Sequence, residues 1–151
     1  MRATDHSTCA SGVEFVVVRG VAVAAHGVVR ATKDLDIVPA PTAGNLLALG
    51  NLLIDLDACL AKSPDVKFGP EHHDALARGH SLSFTTTLGD VDIVQRLPGV
   101  QPYASLVGDA LEVPLPSGVT IAVASLANLR AMKSAAGRPQ DLLDLDALPP
   151  S

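Results

Sequence analysis

Apolar residues recur along this chain at two different spacings, and the switches between them outline its elements. The run "EFVVVR" at 14–19 is continuous and β-branched, the pattern of a strand buried on both faces. Gly20 turns the chain, and "VAVAAHGVV" at 21–29 predicts a short Ala-rich helix that stops near Gly27. A second strand, "DLDIV", is closed by Pro39 and Pro41. Leu46, Leu49, Leu53, Leu56 and Leu60 then repeat at helical spacing, which predicts a helix over 42–62, capped by Thr42 or Asn45 and broken near Gly50. Pro, Gly and charge over 63–80 read as a loop with at most one helical turn.

Two strands follow, "SLSFTTT" and "DVDIVQRL", then a short helix at 103–110 and a strand at 118–124. Ser125 caps a helix that Gly137 ends, and Pro139 starts a last helix stopped by "PPS". The order βαβαββαβαα predicts an α/β or α+β fold, a mixed sheet with helices against it. No internal repeat interrupts it.

The polar positions inside two strands carry the chemistry. In a strand, residues two apart share a face, so Asp34 and Asp36 project together, as do Asp90 and Asp92. A single such pair is ordinary on a solvated face. Two pairs are harder to place, because neighbouring carboxylates repel unless a cation sits among them, and hard oxygen donors of this kind suit Mg²⁺. Asp92, flanked by Val91 and Ile93, is better fixed in direction than Asp90, which follows Gly89.

Composition narrows the classes. With 151 residues, 48% of them hydrophobic, the chain is expected to form one domain over 1–151, with 1–12 a flexible tail. A formal charge of -5 argues against a broad basic face for nucleic acid. "FVVVRGVAVAA" is too short for a membrane span, and the polar start carries no secretion signal, so the cytoplasm is the expected setting. Cys9 and Cys59 match no metal spacing and are expected to be reduced.

Positive charge gathers in two acid-free stretches. Residues 15–33 hold Arg19, Arg30 and Lys33 around the strand-Gly20-helix turn, where backbone N–H groups and a helix N-terminus suit a phosphate. Residues 125–138 hold Arg130, Lys133 and Arg138. Arg130 and Lys133 share a helix face; Arg130 reads as solvated, and Lys133 as an exposed lysine of little weight in stability.

These residues carry a resemblance. "VVVRGVAVAAHGVVRATKDLDIV" resembles the opening signature of the minimal nucleotidyltransferases, specifically the AbiEii-type toxin group: a strand, Gly-Gly or Gly-Ser, a helix, then Arg-x-Thr-x-Asp-x-Asp. Gly20, His26, Gly27, Arg30, Thr32, Asp34 and Asp36 fall in step. "VASLANLRAMKSAAGRPQDLLDL" is similar to the group's closing pattern, with Lys133, Arg138, Asp141 and Asp144 matching. Arg19 and Val21 depart from it, standing where a Gly and a small or hydroxyl residue are usual.

The resemblance implies a compact nucleotidyltransferase fold that moves an NMP from an NTP to an acceptor hydroxyl. Asp34, Asp36 and Asp92 would hold two Mg²⁺ or Mn²⁺ ions, with Asp92 also polarising the acceptor. Gly20, Arg30, Thr32 and Arg138 would meet the nucleotide, and Lys133 would offset phosphate charge; Arg19, which departs from the pattern, either binds phosphate as well or simply sits at the strand end. It implies as acceptor an RNA end, notably tRNA, or a protein, and as partner a cognate antitoxin.

Other candidates carry less. "EHHD" at 71–74 reads as an exposed pair of loop histidines, with no third ligand at zinc-like spacing. His26 reads as a packed helix residue, and Ser125 as a cap. Tyr103 and Phe84 are too isolated to stack bases. Two classes therefore stand: a metal-dependent nucleotidyltransferase, and a module of the same fold that binds nucleotide or a partner without turnover.

Overall fold

The computed structural model describes residues 12–19, 34–87, 89–95, 102–114 and 120–147, with the backbone alone at Asp34, Glu71 and Asp144. The helix expected over 21–29, and with it Gly20, Val21, His26, Gly27, Arg30, Thr32 and Lys33, lies outside these residues, as does Cys9.

The fold is α+β, one mixed sheet flanked by helices. Its strands are β1 (Phe15–Val18), β2 (Asp34–Pro39), β3 (Cys59–Leu60), β4 (Ser63–Lys67), β5 (Leu82–Thr86), β6 (Gly89–Ile93), β7 (Leu111–Pro114) and β8 (Thr120–Val123). They lie in the order β4-β3-β5-β6-β2-β1-β8-β7. The β1/β8 and β2/β6 pairs are parallel, and the other neighbours run antiparallel. The helices are α1 (Ala43–Asp55), α2 (His73–Ala77), α3 (Tyr103–Gly108), α4 (Leu126–Ala136) and α5 (Pro139–Ala147). Among the described residues no helix is long and apolar enough to cross a membrane.

Register explains the core. One row crosses six strands as Leu82, Ile93, Ile37, Val17, Val123 and Leu111, and its four middle members are buried. Each fully buried aliphatic side chain of this size stabilises by about 1.5–3 kcal/mol. β1 is buried along its whole length, as its unbroken Val run requires.

Asn45, one of the two expected caps, instead staples α1 to β1. Its Oδ1 accepts from Glu14 N–H at 2.8 Å, while its Nδ2 donates to Glu14 O at 2.9 Å and Ala40 O at 2.8 Å. Thr42 is the cap, accepting from the Asn45 N–H.

Three expectations are corrected here. The helix over 42–62 ends at Asp55, because Asp57 turns left-handed (φ 54°) and the Ala58 N–H reaches back to Leu53 O; Cys59 and Leu60 are already strand. Gly50 does not break it, being buried within α1 against the imidazole of His73. The expected loop over 63–80 contains β4 as well as a 3-10 turn at Pro70–His72 and α2. β4 is exposed on both faces, so no apolar alternation announces it, and its Pro64 is tolerated at a sheet edge. β7, at the opposite edge, follows the short helix where no strand was expected.

The histidines of "EHHD" are half-buried rather than exposed. Their rings lie against Phe68, with centroids 5.6 Å away for His72 and 5.4 Å for His73, and His72 Nδ1 accepts from the Gly69 N–H. Phe84 meets Phe68 edge-on in the core.

Candidate functional site

The acids meet across the β2/β6 pair. Asp36 is in register with Asp92 and Asp34 with Asp90, and because paired residues, like residues two apart, share a face, all four residues belong to one face of the sheet. Adjacent strands stand about 4.8 Å apart, so the two strand patterns become a two-by-two block of acids. Chain order does not reveal this, since β3, β4 and β5 intervene between β2 and β6.

Burial is graded across that face. Ser83 on β5, opposite Asp92, is exposed; Asp92 is half-buried; Asp36 is 6% exposed; and Val18 on β1, opposite Asp36, is fully buried. The block is therefore open toward β5 and walled at β1. Asp90, next to Gly89 and opposite exposed Thr85, is solvated, which is the contrast with Asp92 expected from their neighbours.

A cation stands at the walled side. Arg19 Nη1 lies 3.9 Å from Asp36 Oδ1, too far for a hydrogen bond but close enough to offset charge. The backbone of Arg19 is left-handed, with φ 62°, a conformation that costs a non-Gly residue on the order of 1 kcal/mol. Serving as the last turn out of β1, Arg19 occupies a position that glycine would adopt freely.

Strand directions bring a helix to the same end of the sheet. β1 and β8 are parallel, and the Ala124 N–H donates to Val17 O. The C-terminal ends of β1 and β8 and the N-terminal halves of β2 and β6 therefore share one end, from which α4 departs. Ser125 caps α4 by accepting from the Asn128 N–H, as its sequence position indicated. The side-chain Nδ2 of Asn128 is buried with no hydrogen-bond partner among the described residues. No motif singled out Asn128.

Lys133 and Arg138 converge elsewhere, on Asp141. Lys133 is 4% exposed, not an open helix lysine as expected, and its Nζ lies 3.2 Å from Asp141 Oδ1. Arg138 grips the same carboxylate through Nε at 2.6 Å and Nη2 at 3.3 Å, and its backbone N–H donates to Oδ2 at 3.2 Å. Asp141, three residues into α5, thus closes the start of its own helix in the manner of a capping box. Burial pushes the Asp141 carboxyl up, but hydrogen bonds from Arg138 and Lys133, with their charges, outweigh it and hold the group below its ordinary 3.8. Arg130, expected on a solvated face, is partly buried and donates to Leu145 O, a further tie between α4 and α5.

The structure thus brings Asp36, Asp92 and Arg19 together, with the Asp34 backbone in the same block, and groups Lys133 with Arg138 and Asp141. For a divalent ion, Asp36 and Asp92 are the right donor class, two hard carboxylates side by side on rigid strands. Among the described residues no three His, Cys, Asp or Glu side chains form a metal-holding group; the Asp34 side chain is not among them. No protein-family model matches the chain, and no curated protein matches it.

Proposed function

We propose that the chain is a metal-dependent nucleotidyltransferase that transfers an NMP from an NTP to an acceptor hydroxyl. One observation carries this reading: two acidic strands, remote in sequence, are laid side by side in register with one of their carboxylates buried. Burying Asp36 beside Asp92 costs stability unless positive charge is brought to both, which makes the block costly as mere scaffolding.

In this reading Asp34, Asp36 and Asp92 hold Mg²⁺ or Mn²⁺, two ions by the resemblance, which supply Lewis-acid neutralisation of the triphosphate. Asp92, on the open side, orients the acceptor hydroxyl and takes its proton as the oxygen attacks the α-phosphorus. One O–P bond forms, the bond to the bridging oxygen breaks, and pyrophosphate leaves. By the resemblance, Gly20, Arg30 and Thr32 would contact the phosphates, Arg19 at the end of β1 would add to them, and the exposed side of Arg138 would add charge. Lys133 acts through the Asp141 pair, holding α5 on α4, rather than on the phosphates directly. The acceptor is an RNA end, such as that of tRNA, or a protein hydroxyl. The setting is the cytoplasm, and a cognate antitoxin is the partner.

The test is incubation of the purified chain with each labelled NTP, Mg²⁺ and total RNA, with Asp36→Ala in parallel. Label transfer abolished in the variant supports the reading; absence of transfer to RNA or protein, with nucleotide still bound, favours the second reading of a non-catalytic module. The left-handed Arg19 against Asp36 is the feature that motivates that alternative.

A further inference from the structure

The acid block continues onto β5 as rows. Ser83, Asp92 and Asp36 align across β5, β6 and β2 in one row, and Thr85, Asp90 and Asp34 in the next, so β5 sets a hydroxyl beside each acid of β6 on the same face. Paired residues of antiparallel strands have Cβ atoms about 4.5–5.5 Å apart. The backbone of Ser83 is held on both sides, by the β6 ladder and by the Ala61 N–H, which donates to Ser83 O at 3.0 Å. Other hydroxyls of this hairpin are engaged: Ser81 Oγ accepts from the Gln95 N–H, and Thr86 Oγ1 donates to Gly89 O. Ser83 is exposed, and among the described residues neither its hydroxyl nor the Asp92 carboxylate takes part in a hydrogen bond or ion pair. A serine beside an aspartate on an open strand is ordinary; its consequence here comes from the role of that aspartate.

We propose, on the reading that Asp92 takes the proton of the attacking hydroxyl, that Ser83 is itself an acceptor, so that the chain nucleotidylates its own serine. Ser83 Oγ attacks the α-phosphorus of the NTP, the bond from that phosphorus to the bridging oxygen breaks, and pyrophosphate leaves. The Oγ proton goes to Asp92, and the NMP remains in phosphodiester linkage to Ser83. A hydroxyl fixed in the same chain needs no second encounter, and its remaining freedom is a single χ1 rotation. Thr85 is the poorer acceptor, because its row partner Asp90 is solvated beside Gly89, whereas Asp92 is half-buried and fixed in direction.

The experiment incubates the full chain with Mg²⁺ and each α-labelled NTP, without added acceptor, and in parallel with total RNA. Label on the protein is read on denaturing gels, by intact mass and by peptide mapping, for wild type, Ser83→Ala, Ser83→Thr, Thr85→Ala and Asp92→Asn, with melting curves to verify that each is folded. Wild type is expected to gain one NMP, mapped to Ser83, with a half-time unchanged on about tenfold dilution, as a reaction within one chain requires. Ser83→Ala is expected to lose self-labelling by about tenfold or more, and Ser83→Thr, which keeps a hydroxyl, to restore it at the same position. Thr85→Ala should label as wild type does, and Asp92→Asn should not label. If wild type labels RNA but not itself, if its label maps to another residue, or if the half-time lengthens in proportion to dilution, the inference is overturned while the transferase reading stands. If folded wild type labels neither itself nor RNA, both are overturned.

Discussion

Asp141 is shared by two cations of unequal dependence on it, and this makes the consequences of deleting each member unequal. Asp141→Ala takes from Lys133, 4% exposed on α4, the carboxylate that lies 3.2 Å from its Nζ, at a position within reach of little water. Removing one side of a buried ion pair costs about 3–5 kcal/mol. Lys133→Met keeps the aliphatic stem, and Asp141 retains the Arg138 fork and backbone N–H, so the loss is nearer the low end for one charged hydrogen bond, about 1.5 kcal/mol. Arg138, 60% exposed at its side chain, is resolvated when Asp141 is removed and keeps its fork when Lys133 is changed. For a chain of this size each kcal/mol moves the melting point by roughly 2–4 °C. Asp141→Ala is therefore expected to melt about 10 °C lower and Lys133→Met about 4 °C lower, with urea unfolding giving the free energies. The double variant Lys133→Met/Asp141→Leu, which buries no charge, should recover most of the loss. Equal effects of the two single changes, or a larger effect of Lys133→Met, would refute the assignment of Lys133 as the dependent partner.

The same carboxylate predicts a pH profile. Because its folded pKa lies below the ordinary 3.8, its contribution is complete above the unfolded value and disappears as pH falls through the lowered one, so the stability gap between wild type and Asp141→Asn should narrow below about pH 4. Asp92→Asn is expected to end nucleotidyl transfer with the fold intact, while Asp90→Asn keeps most activity in the same radiolabel assay; the reverse pattern would sink the site assignment. Gly50→Ala would drive a methyl into the His73 imidazole and should cost about 1–3 kcal/mol in urea unfolding, recovered when combined with His73→Ala. Asn45→Ala removes three hydrogen bonds between α1 and the flanks of β1 and β2, and a loss below about 1 kcal/mol would show that water replaces them.

Much of the fold was legible where local signals suffice. α4 is bounded by Ser125 and a left-handed Gly137, as those residue types predict, and β5 and β6 follow their alternating patterns. What escaped was set by partners remote in sequence. β4 is an exposed edge with no apolar face to read, and α1 ended at a left-handed aspartate where leucine spacing suggested further turns. In the candidate site, the sequence told that Asp34 shares a face with Asp36, and Asp90 with Asp92, but not that the two strands are neighbours. Lys133 looked exposed because its partner lies beyond the turn between two helices, a contact no single-helix pattern contains.

The sheet order has a consequence for assembly. β3 to β6 come from one continuous stretch of chain and form one half of the sheet, while β1, β2, β7 and β8, from before and after it, form the other. Within the sheet these halves are stitched at a single seam, β2 against β6, and the acids lie along that seam. Like charges thus meet where the two halves of the sheet join, so the pairing of β2 with β6 is the contact within the sheet most sensitive to salt and to bound cations. Any cation resting on this face acts as a clasp between them, and the backbone amides of β2 and β6, rather than those at the sheet's outer edges, are where its presence would slow hydrogen exchange most.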